Sequence, residues 1–285
     1  MSHLYIHPHF VSEKQALFSA DNRAFRYGDA LFESFVQFNK HIPFLADHFE
    51  RLVAGMKVLQ MELPNYLTLS FLQNTIAQLT HHNQHNNARI RLCIYRADGG
   101  LYLPNNSNVG LLITTQNIEQ NHFELPSKGV RLGCYTDVPL SYHAFSSFKT
   151  ANSLPYILAA LYAAKNNFDD CLLLNTQGNV ADSISSNIFL LKKQKLYTPP
   201  VTEGGIDGIM RKKISNFFWN FGKNLLPLPL IEQAISLQDL QNADEVWLTN
   251  AVRGIRWVQN FENHHYSNLV ALQVVKLLNK YYTIE

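Results

Sequence analysis

The sequence predicts an α/β (α+β) protein with two domains, a smaller N-terminal α+β domain and a larger C-terminal domain with a mixed sheet. The chain has 285 residues, which is enough for two domains that each bury a core. Residues 116–128 are polar and contain a proline, as is typical of a domain boundary. Beyond them, strand and helix patterns alternate, which suits a mixed sheet packed by helices. We therefore predict domains over 1–118 and 119–285.

The predicted first domain combines three strands with two helices. A strand that begins near residue 25 should lead to a turn at Asn39-Lys40. Apolar residues recur at helical spacing after Asp47, which predicts an amphipathic helix. The segment RIRLCIYR alternates polar and apolar residues, which predicts a strand. The expected strands are 25–38, 89–96 and 110–115, and the expected helices are 46–61 and 67–80.

The predicted second domain contains short apolar runs bounded by turn residues, and such runs indicate buried strands. A turn is expected at 176–179, where Gly178 and Asn179 follow one of these runs. The expected strands are 129–135, 170–175, 187–192, 195–198 and the EVWLTN segment at 245–250. The expected helices are 152–166, 208–221, a start at SLQDLQNA and a C-terminal helix at 267–281, with loops at 137–148 and 199–207.

Composition excludes several classes of protein. Hydrophobic residues make up 46% and charged residues 16%, which is typical of a globular protein. The formal net charge is +2 without a long basic run, so neither a nucleic-acid surface nor a nucleic-acid partner is expected. No apolar stretch approaches the ~20 residues that would span a bilayer. The His-rich segment 81–87 lacks metal-ligand spacing, so no metal site is expected.

The cysteines and the N-terminus bear on location. Cys93, Cys134 and Cys171 are scattered and odd in number, with neither metal-ligand spacing nor a disulfide framework. A reducing cytosol fits this pattern. The segment MSHLYIHPHF shows no readable signal peptide. The expectation is a cytoplasmic protein.

The segment from Lys149 to Arg211 carries the strongest chemical signal. It contains SSFKTANSL, then VADSISSNIF, then GGIDGIMRKK. A lysine, a carboxylate, a Ser-Ser-Asn cluster and a glycine before a helix therefore follow in order. A pyridoxal phosphate site needs these groups: an amine for the aldehyde, an anion for the ring nitrogen and backbone N–H groups for the phosphate. Each feature alone also has an ordinary structural explanation, and it is their combination that predicts the site.

In order and spacing these motifs resemble the fold-type-IV pyridoxal-phosphate enzymes. That family includes branched-chain and D-amino-acid aminotransferases and 4-amino-4-deoxychorismate lyase. The resemblance extends from DNRAFRYGDALFES near residue 21 to the TNAVRGI turn near residue 255. It implies a two-domain fold-type-IV enzyme with pyridoxal 5′-phosphate as cofactor and a small amino acid or oxo acid as substrate. It also implies a homodimer.

The resemblance implies roles for the central motifs. Lys149, in KTAN, matches the lysine that forms a Schiff base with the cofactor. Asp182 stands where relatives have a glutamate that holds the proton of the ring nitrogen. The aspartate is one methylene shorter, so the backbone moves inward, a water bridges the gap, or the contact is weaker. Ser185, Ser186 and Asn187 would bind the phosphate or hold the loop.

Other matched positions are expected to bind the phosphate. A glycine directly before a helix leaves N–H groups aimed at an anion. The resemblance assigns this role to the amides of Ile209 and Met210, which follow Gly208. Arg51, in the HFERL element, matches an arginine that binds phosphate from the first domain, and its fork geometry suits that anion.

The remaining candidates come from strand ends and from one early motif. Thr249 and Asn250 end the EVWLTN strand and match positions that offer hydroxyl or amide groups to the phosphate. Phe32 and Glu33, in YGDALFES, match a segment close to the cofactor or substrate, although a buried strand explains Phe32 equally well. Arg96 could bind a substrate carboxylate, or it could simply end a strand.

The motifs leave the reaction open. Ser153 replaces the tyrosine that usually follows the asparagine in branched-chain enzymes, and the loop after Arg96 lacks the Arg-x-His pair of D-amino-acid enzymes. GIMR and the pair at 249–250 look more like the lyase branch. We predict an aminotransferase acting between an amino acid and a 2-oxo acid, with 4-amino-4-deoxychorismate lyase as the alternative. Because Asp182 departs from the usual glutamate, a catalytically weak or non-enzymatic relative is the second alternative.

Overall fold

A computed structural model describes residues 2–15, 18–222 and 225–282. The chain forms two compact units. The first consists of residues 1–122 together with Phe148–Asn152, and the second of Phe123–Ser147 together with residues 153–285. Compared with the predicted boundary at 118, the first unit extends to His122 and also contains the segment that carries Lys149. The two-domain boundary at 118 stays a prediction.

The first unit is built on a five-stranded antiparallel sheet with the order β2-β1-β5-β4-β3. Its strands are β1 (His3–Ile6), β2 (His9–Ser12), β3 (Ala30–Gln37), β4 (Ala88–Arg96) and β5 (Val109–Asn117). Its helices are α1 (Arg23–Tyr27), α2 (Leu45–Val58) and α3 (Leu69–His82), with a 3₁₀ turn at Glu13–Gln15.

The core of this unit lies between one face of the sheet and the apolar sides of α2 and α3. Along β4 the residues are alternately buried and more exposed, as its sequence predicts. Leu52 and Met56 from α2 and Ile76 from α3 belong to the same buried cluster as Phe35 and Ile90 of the sheet. The predicted helices are confirmed, each with ends shifted by one to three residues.

One predicted element of the first unit was wrong at its start. The strand expected from residue 25 begins at Ala30, because residues 23–27 form α1. Asn22 caps this short helix by accepting a hydrogen bond from the N–H of Phe25, and Gly28 ends it in the left-handed conformation with φ 67°. The predicted turn at Asn39-Lys40 is confirmed, and both residues have positive φ.

The second unit is built on a nine-stranded mixed sheet with the order β11-β10-β9-β12-β13-β6-β7-β8, and β14 pairs with β13. Its strands are β6 (Val130–Leu140), β7 (Asp170–Asn175), β8 (Val180–Ser183), β9 (Asn187–Lys192), β10 (Lys195–Thr198), β11 (Leu230–Glu232), β12 (Glu245–Asn250), β13 (Gly254–Phe261) and β14 (His264–His265). Its helices are α4 (Leu154–Lys165), α5 (Ile209–Phe217), α6 (Leu237–Gln241) and α7 (Leu269–Tyr282).

The predicted mixed sheet is confirmed. β6 runs parallel to β7 and β13, and β10 runs parallel to β11, whereas the other paired strands are antiparallel. One core cluster includes Leu172 of β7, Ile188 of β9, Leu248 of β12 and Val258 of β13. The continuous apolar runs of β7, β9 and β12 reflect this burial on both faces.

Two predictions for the second unit need correction, and some of its strands were not predicted. The loop expected from 137 begins after Leu140, because β6 continues through an irregularity in its pairing with β7. The helix expected over 208–221 is α5 followed by a π-helical turn at Phe218–Gly222. The strands β8 and β13 were not predicted at all. Among the described residues, no helix has the length and apolar composition needed to cross a bilayer.

Candidate active-site groups

Backbone pairing with β3 positions Lys149. The carbonyl of Lys149 accepts a hydrogen bond of 2.8 Å from the N–H of Phe32, and the N–H of Ala151 donates to the carbonyl of Ala30 at 2.9 Å. Thr150 forms an isolated β-bridge with Leu31. The Nζ atom of Lys149 lies 4.6 Å from the centroid of the Phe32 ring, within the range of a cation–π contact. The sequence-predicted residues Phe32 and Lys149 are therefore neighbours.

A second contact joins the KTAN segment to the YGDALFES segment. The Nδ2 atom of Asn152, in KTAN, donates to the carbonyl of Gly28, in YGDALFES, over 3.5 Å. Gly28 has φ +67°, and a Cβ added there would approach Asn152 Oδ1 to 2.8 Å. This turn needs glycine both for its conformation and for the space that Asn152 occupies. The asparagine of KTAN thus fixes the segment that carries the lysine.

Glu33 is the centre of a buried charge cluster. Its carboxylate accepts hydrogen bonds from Arg51 Nε at 2.8 Å and Arg51 Nη2 at 2.5 Å, and it lies 2.7 Å from His48 Nδ1. Burial alone would raise the pKa of Glu33, but Arg51 and His48 outweigh it and lower the pKa to about 2. Burial lowers the pKa of His48, although Glu33 opposes that shift. The cluster fixes Arg51, which was predicted to bind phosphate, by a two-point contact with Glu33.

Arg96 lies elsewhere in the first unit, at the end of β4. Its Nε donates to Asp29 Oδ2 at 2.8 Å, and its other nitrogens donate to the carbonyls of Leu59 and Gln60. Arg23 Nε donates to the same Asp29 oxygen at 2.9 Å. These contacts agree with the alternative that Arg96 ends a strand. Its role toward a substrate carboxylate stays a prediction that no contact of Arg96 requires.

In the second unit, Asp182 lies on β8 and is buried. Its Oδ1 accepts from the N–H of Ser183 at 3.1 Å and from Asn187 Nδ2 at 3.4 Å. Its Oδ2 accepts from the N–H of Ile206 at 3.2 Å and from the hydroxyl of Tyr156 at 3.4 Å. All four of these partners are donors, which suits an ionised carboxylate, because that form only accepts hydrogen bonds.

Asn187 connects this carboxylate to the start of α5. Its Nδ2 also donates to the carbonyl of Ile206 at 2.7 Å. A Cβ added to Gly208 would come within 1.8 Å of Asn187 Oδ1, so only glycine allows this approach. Gly208 precedes the nine-residue helix α5, whose first turn has no side-chain cap among the described residues. The amides of Ile209 and Met210 in that turn have no intrahelical acceptor.

The other predicted residues of this unit surround the same place. Asn250 Nδ2 donates to the carbonyl of Ser185 and to Ser186 Oγ, each at 3.1 Å, and so holds this turn. Thr249 pairs with Asn187 across β12 and β9. Its Oγ1 atom is buried and has no hydrogen-bond partner among the described residues. Ser185 is exposed, and only its carbonyl takes part in these contacts.

Tyr156 was not singled out from the sequence. It lies in the first turn of α4, and its ring packs in the cluster that contains Tyr135 and Leu173. Burial first, and then the charge of Asp182, raise the pKa of Tyr156 well above its ordinary value. The apolar segment LPYILAALY indicates only a core helix, so nothing in the sequence distinguishes this tyrosine.

The first unit therefore brings Phe32 next to Lys149 and Glu33 next to Arg51, and it places Arg96 with Asp29. Whereas Arg51 belongs to the first unit, the second unit brings together most of the residues predicted to hold the ring nitrogen and the phosphate. These are Asp182, Ser186, Asn187, Thr249, Asn250 and the start of α5 at Ile209 and Met210.

Comparisons of the sequence with known proteins match one enzyme family. The family model described as amino-transferase class IV matches residues 30–261. An aminodeoxychorismate lyase of Vibrio harveyi is 26% identical over 238 residues, covering 82% of this chain and 83% of that protein. A putative branched-chain-amino-acid aminotransferase of Methanocaldococcus jannaschii is 26% identical over 278 residues, covering 97% and 94%.

The structure also resembles a solved structure of an aminotransferase. The crystal structure of the branched-chain aminotransferase from Thermoproteus uzoniensis with norvaline superposes with a TM-score of 0.85. The superposition covers 98% of this chain and 93% of that protein at 21% identity. At that identity the likeness establishes the shared fold.

Proposed function

We propose a reaction for this chain from one premise, that it belongs to the class IV aminotransferase family, whose model matches residues 30–261. Its family and relatives are pyridoxal-phosphate-dependent aminotransferases or lyases, and the chain is an enzyme of this kind. The reaction that we propose is transfer of an amino group between an amino acid and a 2-oxo acid.

The observation that carries the proposal is the arrangement around Asn187. This one side chain contacts the buried carboxylate of Asp182 and the glycine that precedes α5. An anion for a ring nitrogen and backbone amides for a phosphate thus belong to one connected set of contacts. The buried hydroxyl of Thr249, beside Asn187, has no partner among the described residues. It supports a polar ligand here, because such a group otherwise carries a desolvation cost.

These residues fit pyridoxal phosphate. We assign the phosphate to the amides of Ile209 and Met210, with Thr249, Ser186 and Asn250 as further polar groups at this place. We assign the ring nitrogen to Asp182 and the aldehyde to the amine of Lys149. Arg51 remains a candidate for the phosphate, with its guanidinium oriented by Glu33. When bound, the cofactor supplies an electron sink for negative charge at the substrate's α-carbon.

The side chains then have distinct tasks. Asp182, which accepts the four hydrogen bonds given above, would hold the proton of the ring nitrogen. The free amine of Lys149 would take the proton from the substrate's α-carbon and would later return it, acting first as base and then as acid. Phe32 covers the amine of Lys149 with an aromatic face, which reduces its contact with water.

A second candidate reaction is the elimination of pyruvate from 4-amino-4-deoxychorismate. It is favoured by the Vibrio harveyi relative, which carries the name of that lyase and aligns with 82% of this chain. The residues assigned above serve either reaction, because each reaction begins with loss of a proton from the carbon that bears the substrate's amino group. Phe32, Glu33 and Arg96 remain proposals for contacts that select the substrate.

One experiment separates the two reactions. The purified protein is incubated with a panel of amino acids plus a 2-oxo acid, and separately with 4-amino-4-deoxychorismate. Amino transfer predicts a new amino acid and a new oxo acid in equal amounts. Release of 4-aminobenzoate and pyruvate without amino transfer would replace the first proposal by the second, and the absence of both products would favour a relative without catalysis.

The assignment of Lys149 gives a direct prediction. Lys149→Ala should remove the visible band of the bound cofactor and reduce turnover by at least about a thousandfold, because the covalent holder and the proton acceptor are lost together. Borohydride treatment followed by peptide mass spectrometry should place the reduced cofactor on Lys149 of the unmodified enzyme. Lys165→Ala, at the exposed end of α4, is the control and should retain both properties. Labelling of any other lysine would contradict the assignment.

We also propose a homodimer in the cytoplasm. α4 exposes Leu154, Ile157, Leu158 and Leu161, a strip without charge that a second copy of the chain could cover. All three cysteines are free thiols, which agrees with a reducing compartment. Light scattering should report twice the chain mass, and Leu161→Glu should shift the protein toward the monomer.

A further inference from the structure

The carboxylate of Asp182 has a partner that the proposed function does not use. The resemblance described above implies a glutamate at this position in relatives, whereas the aspartate of this chain is one methylene shorter. The hydroxyl of Tyr156 lies 3.4 Å from Asp182 Oδ2 and donates to it. Tyr156 stands in the first turn of α4, seven positions after Lys149, and 26 positions separate it from Asp182. The contact is therefore made by the tertiary structure of the second unit.

Two of the four donors to Asp182 come from backbone that the fold fixes, namely the amides of Ser183 and Ile206. A third, Asn187 Nδ2, is shared with the carbonyl of Ile206 at the shorter distance of 2.7 Å. Of the four donors given above, Tyr156 and Asn187 are the two that donate through a side chain, and the hydroxyl is the single polar atom of the Tyr156 side chain. Tyr156→Phe removes that hydroxyl and keeps the ring.

The chemistry of the pair favours a fixed donor. Burial and the neighbouring carboxylate raise the pKa of Tyr156, so the phenol stays protonated far above neutral pH. A protonated phenol can donate only one hydrogen bond, and here it is directed to Oδ2. The second carboxylate oxygen is held by Ser183 and Asn187. Both oxygens are thereby restrained before a ligand binds, so little further side-chain entropy is lost on binding.

We infer that Tyr156 is a positioning residue that holds the short carboxylate of Asp182 in the orientation used to bind the cofactor's ring nitrogen. This inference rests on the proposed function, because it assigns that nitrogen to Asp182. It goes beyond it by naming a residue outside the matched motifs and by explaining how an aspartate can serve where relatives have a glutamate. Tyr156 acts through Asp182 and is given no contact with the substrate.

The test is a double-mutant cycle on cofactor affinity. Pyridoxal phosphate is titrated into cofactor-free protein for the unmodified chain, Tyr156→Phe, Asp182→Asn and the double variant, and the dissociation constants are measured by absorbance. Tyr156→Phe should weaken binding about threefold to tenfold, the range expected for one hydrogen bond to a charged group. In the Asp182→Asn background the same substitution should change the dissociation constant by less than about twofold.

The control is Tyr162→Phe, which removes a second tyrosine hydroxyl from α4. The Tyr162 ring packs on Tyr135 and Phe168. Its loss of a hydroxyl should leave cofactor affinity unchanged. Urea unfolding of each cofactor-free variant shows whether the fold survives, so a general loss of stability is recognised.

The outcomes are distinct. If the unmodified chain binds pyridoxal phosphate and Tyr156→Phe binds it equally well, the positioning role is overturned while the proposed function stands. A loss of affinity that is equal with and without the Asp182→Asn substitution would also overturn it, because that pattern indicates packing alone. If the unmodified chain does not bind the cofactor at all, the proposed function itself fails.

Discussion

Thr249 shows what a single buried atom can reveal about a site. Its Oγ1 is buried and has no partner among the described residues, although Asn187 is its neighbour on the adjacent strand. A protein normally pairs such a group or incurs a desolvation penalty of roughly 1–3 kcal/mol. Thr198, also fully buried, has the opposite environment, because its hydroxyl donates to the carbonyl of Ile188 at 2.8 Å. The same Thr→Val substitution should therefore have different effects on stability and on cofactor affinity at the two positions.

Thr249→Val should leave the stability of cofactor-free protein unchanged or raise it by up to about 1 kcal/mol, because the unpaired hydroxyl disappears. The same variant should bind pyridoxal phosphate about tenfold more weakly, since one polar contact to the phosphate is lost. Urea unfolding and cofactor titration measure the two effects.

The matched control is Thr198→Val, which should lower the unfolding free energy by about 1–2 kcal/mol because the carbonyl of Ile188 loses its donor. Its cofactor affinity should be retained. A loss of stability in Thr249→Val as large as in Thr198→Val would show that Oγ1 of Thr249 already has a partner in the cofactor-free protein.

Among the elements, α7 depends on a residue that lies far from it in sequence. Glu245, at the start of β12, is almost completely buried. Its Oε1 accepts from the N–H of Val270 at 2.8 Å, and its Oε2 accepts from the N–H of Ala271 at 3.0 Å and from Trp247 Nε1 at 2.9 Å. These amides belong to the first turn of the helix, where an anion is favourable. A strand residue thus accepts hydrogen bonds from two amides in the first turn of α7.

Glu245→Gln should lower the unfolding free energy by about 2–4 kcal/mol, because the amide has one acceptor oxygen and places N–H groups against N–H donors. Urea unfolding followed by circular dichroism measures the change. Glu262→Gln is the control, since Glu262 is exposed and accepts one hydrogen bond from Gln241. Its effect should be below about 0.5 kcal/mol. Equal effects of the two substitutions would refute the capping role.

Several strands could be predicted from the sequence because their local signal was sufficient. The segments 170–175, 187–192, 195–198 and 245–250 are bounded by turn residues, and the strands have these bounds. The strand β8 has only four residues, VADS, all buried and without alternation, so periodicity could not find it. α1 was missed because its five residues are too few for a helical repeat.

The site was predictable where motifs match a family and not where contacts are tertiary. The order of the motifs was enough to single out Asp182, Asn187 and Thr249, which the structure brings together, although their roles stay predictions. Tyr156 was not foreseen, since its meaning arises only when α4 packs beside β8. The ion pair of Arg96 with Asp29 joins residues far apart in sequence, and no local pattern indicates it.

For the molecule as a whole, acid should destabilise the fold, because two buried groups of the first unit have lowered pKa values. Burial lowers the pKa of His48, so the folded state takes up this proton less readily than the unfolded state, and stability falls as the pH drops below the ordinary value of 6.5. Glu33 has a pKa of about 2 instead of 4.5. Its contribution is complete above 4.5 and is lost as the pH falls toward 2. Both shifts act in the same direction.

The unfolding free energy should therefore decline steadily from about pH 7 to about pH 3, and Glu33→Gln should reduce the slope below about pH 5. Urea unfolding at a series of pH values measures both effects. Glu119→Gln, at an exposed position, should leave the slope unchanged. If Glu33→Gln has the same pH profile as the unmodified chain, Glu33 does not carry the acid sensitivity.

The path of the chain has a consequence for protein engineering. Residues 148–152 hydrogen-bond with β3, while the residues on either side of them belong to the second unit. A chimaera with a relative that is joined once, near residue 122, would combine a foreign lysine segment with the native edge strand. A chimaera should therefore take residues 148–152 from the same parent as the first half. Otherwise the segment that carries Lys149 will pair with a β3 strand from a different protein.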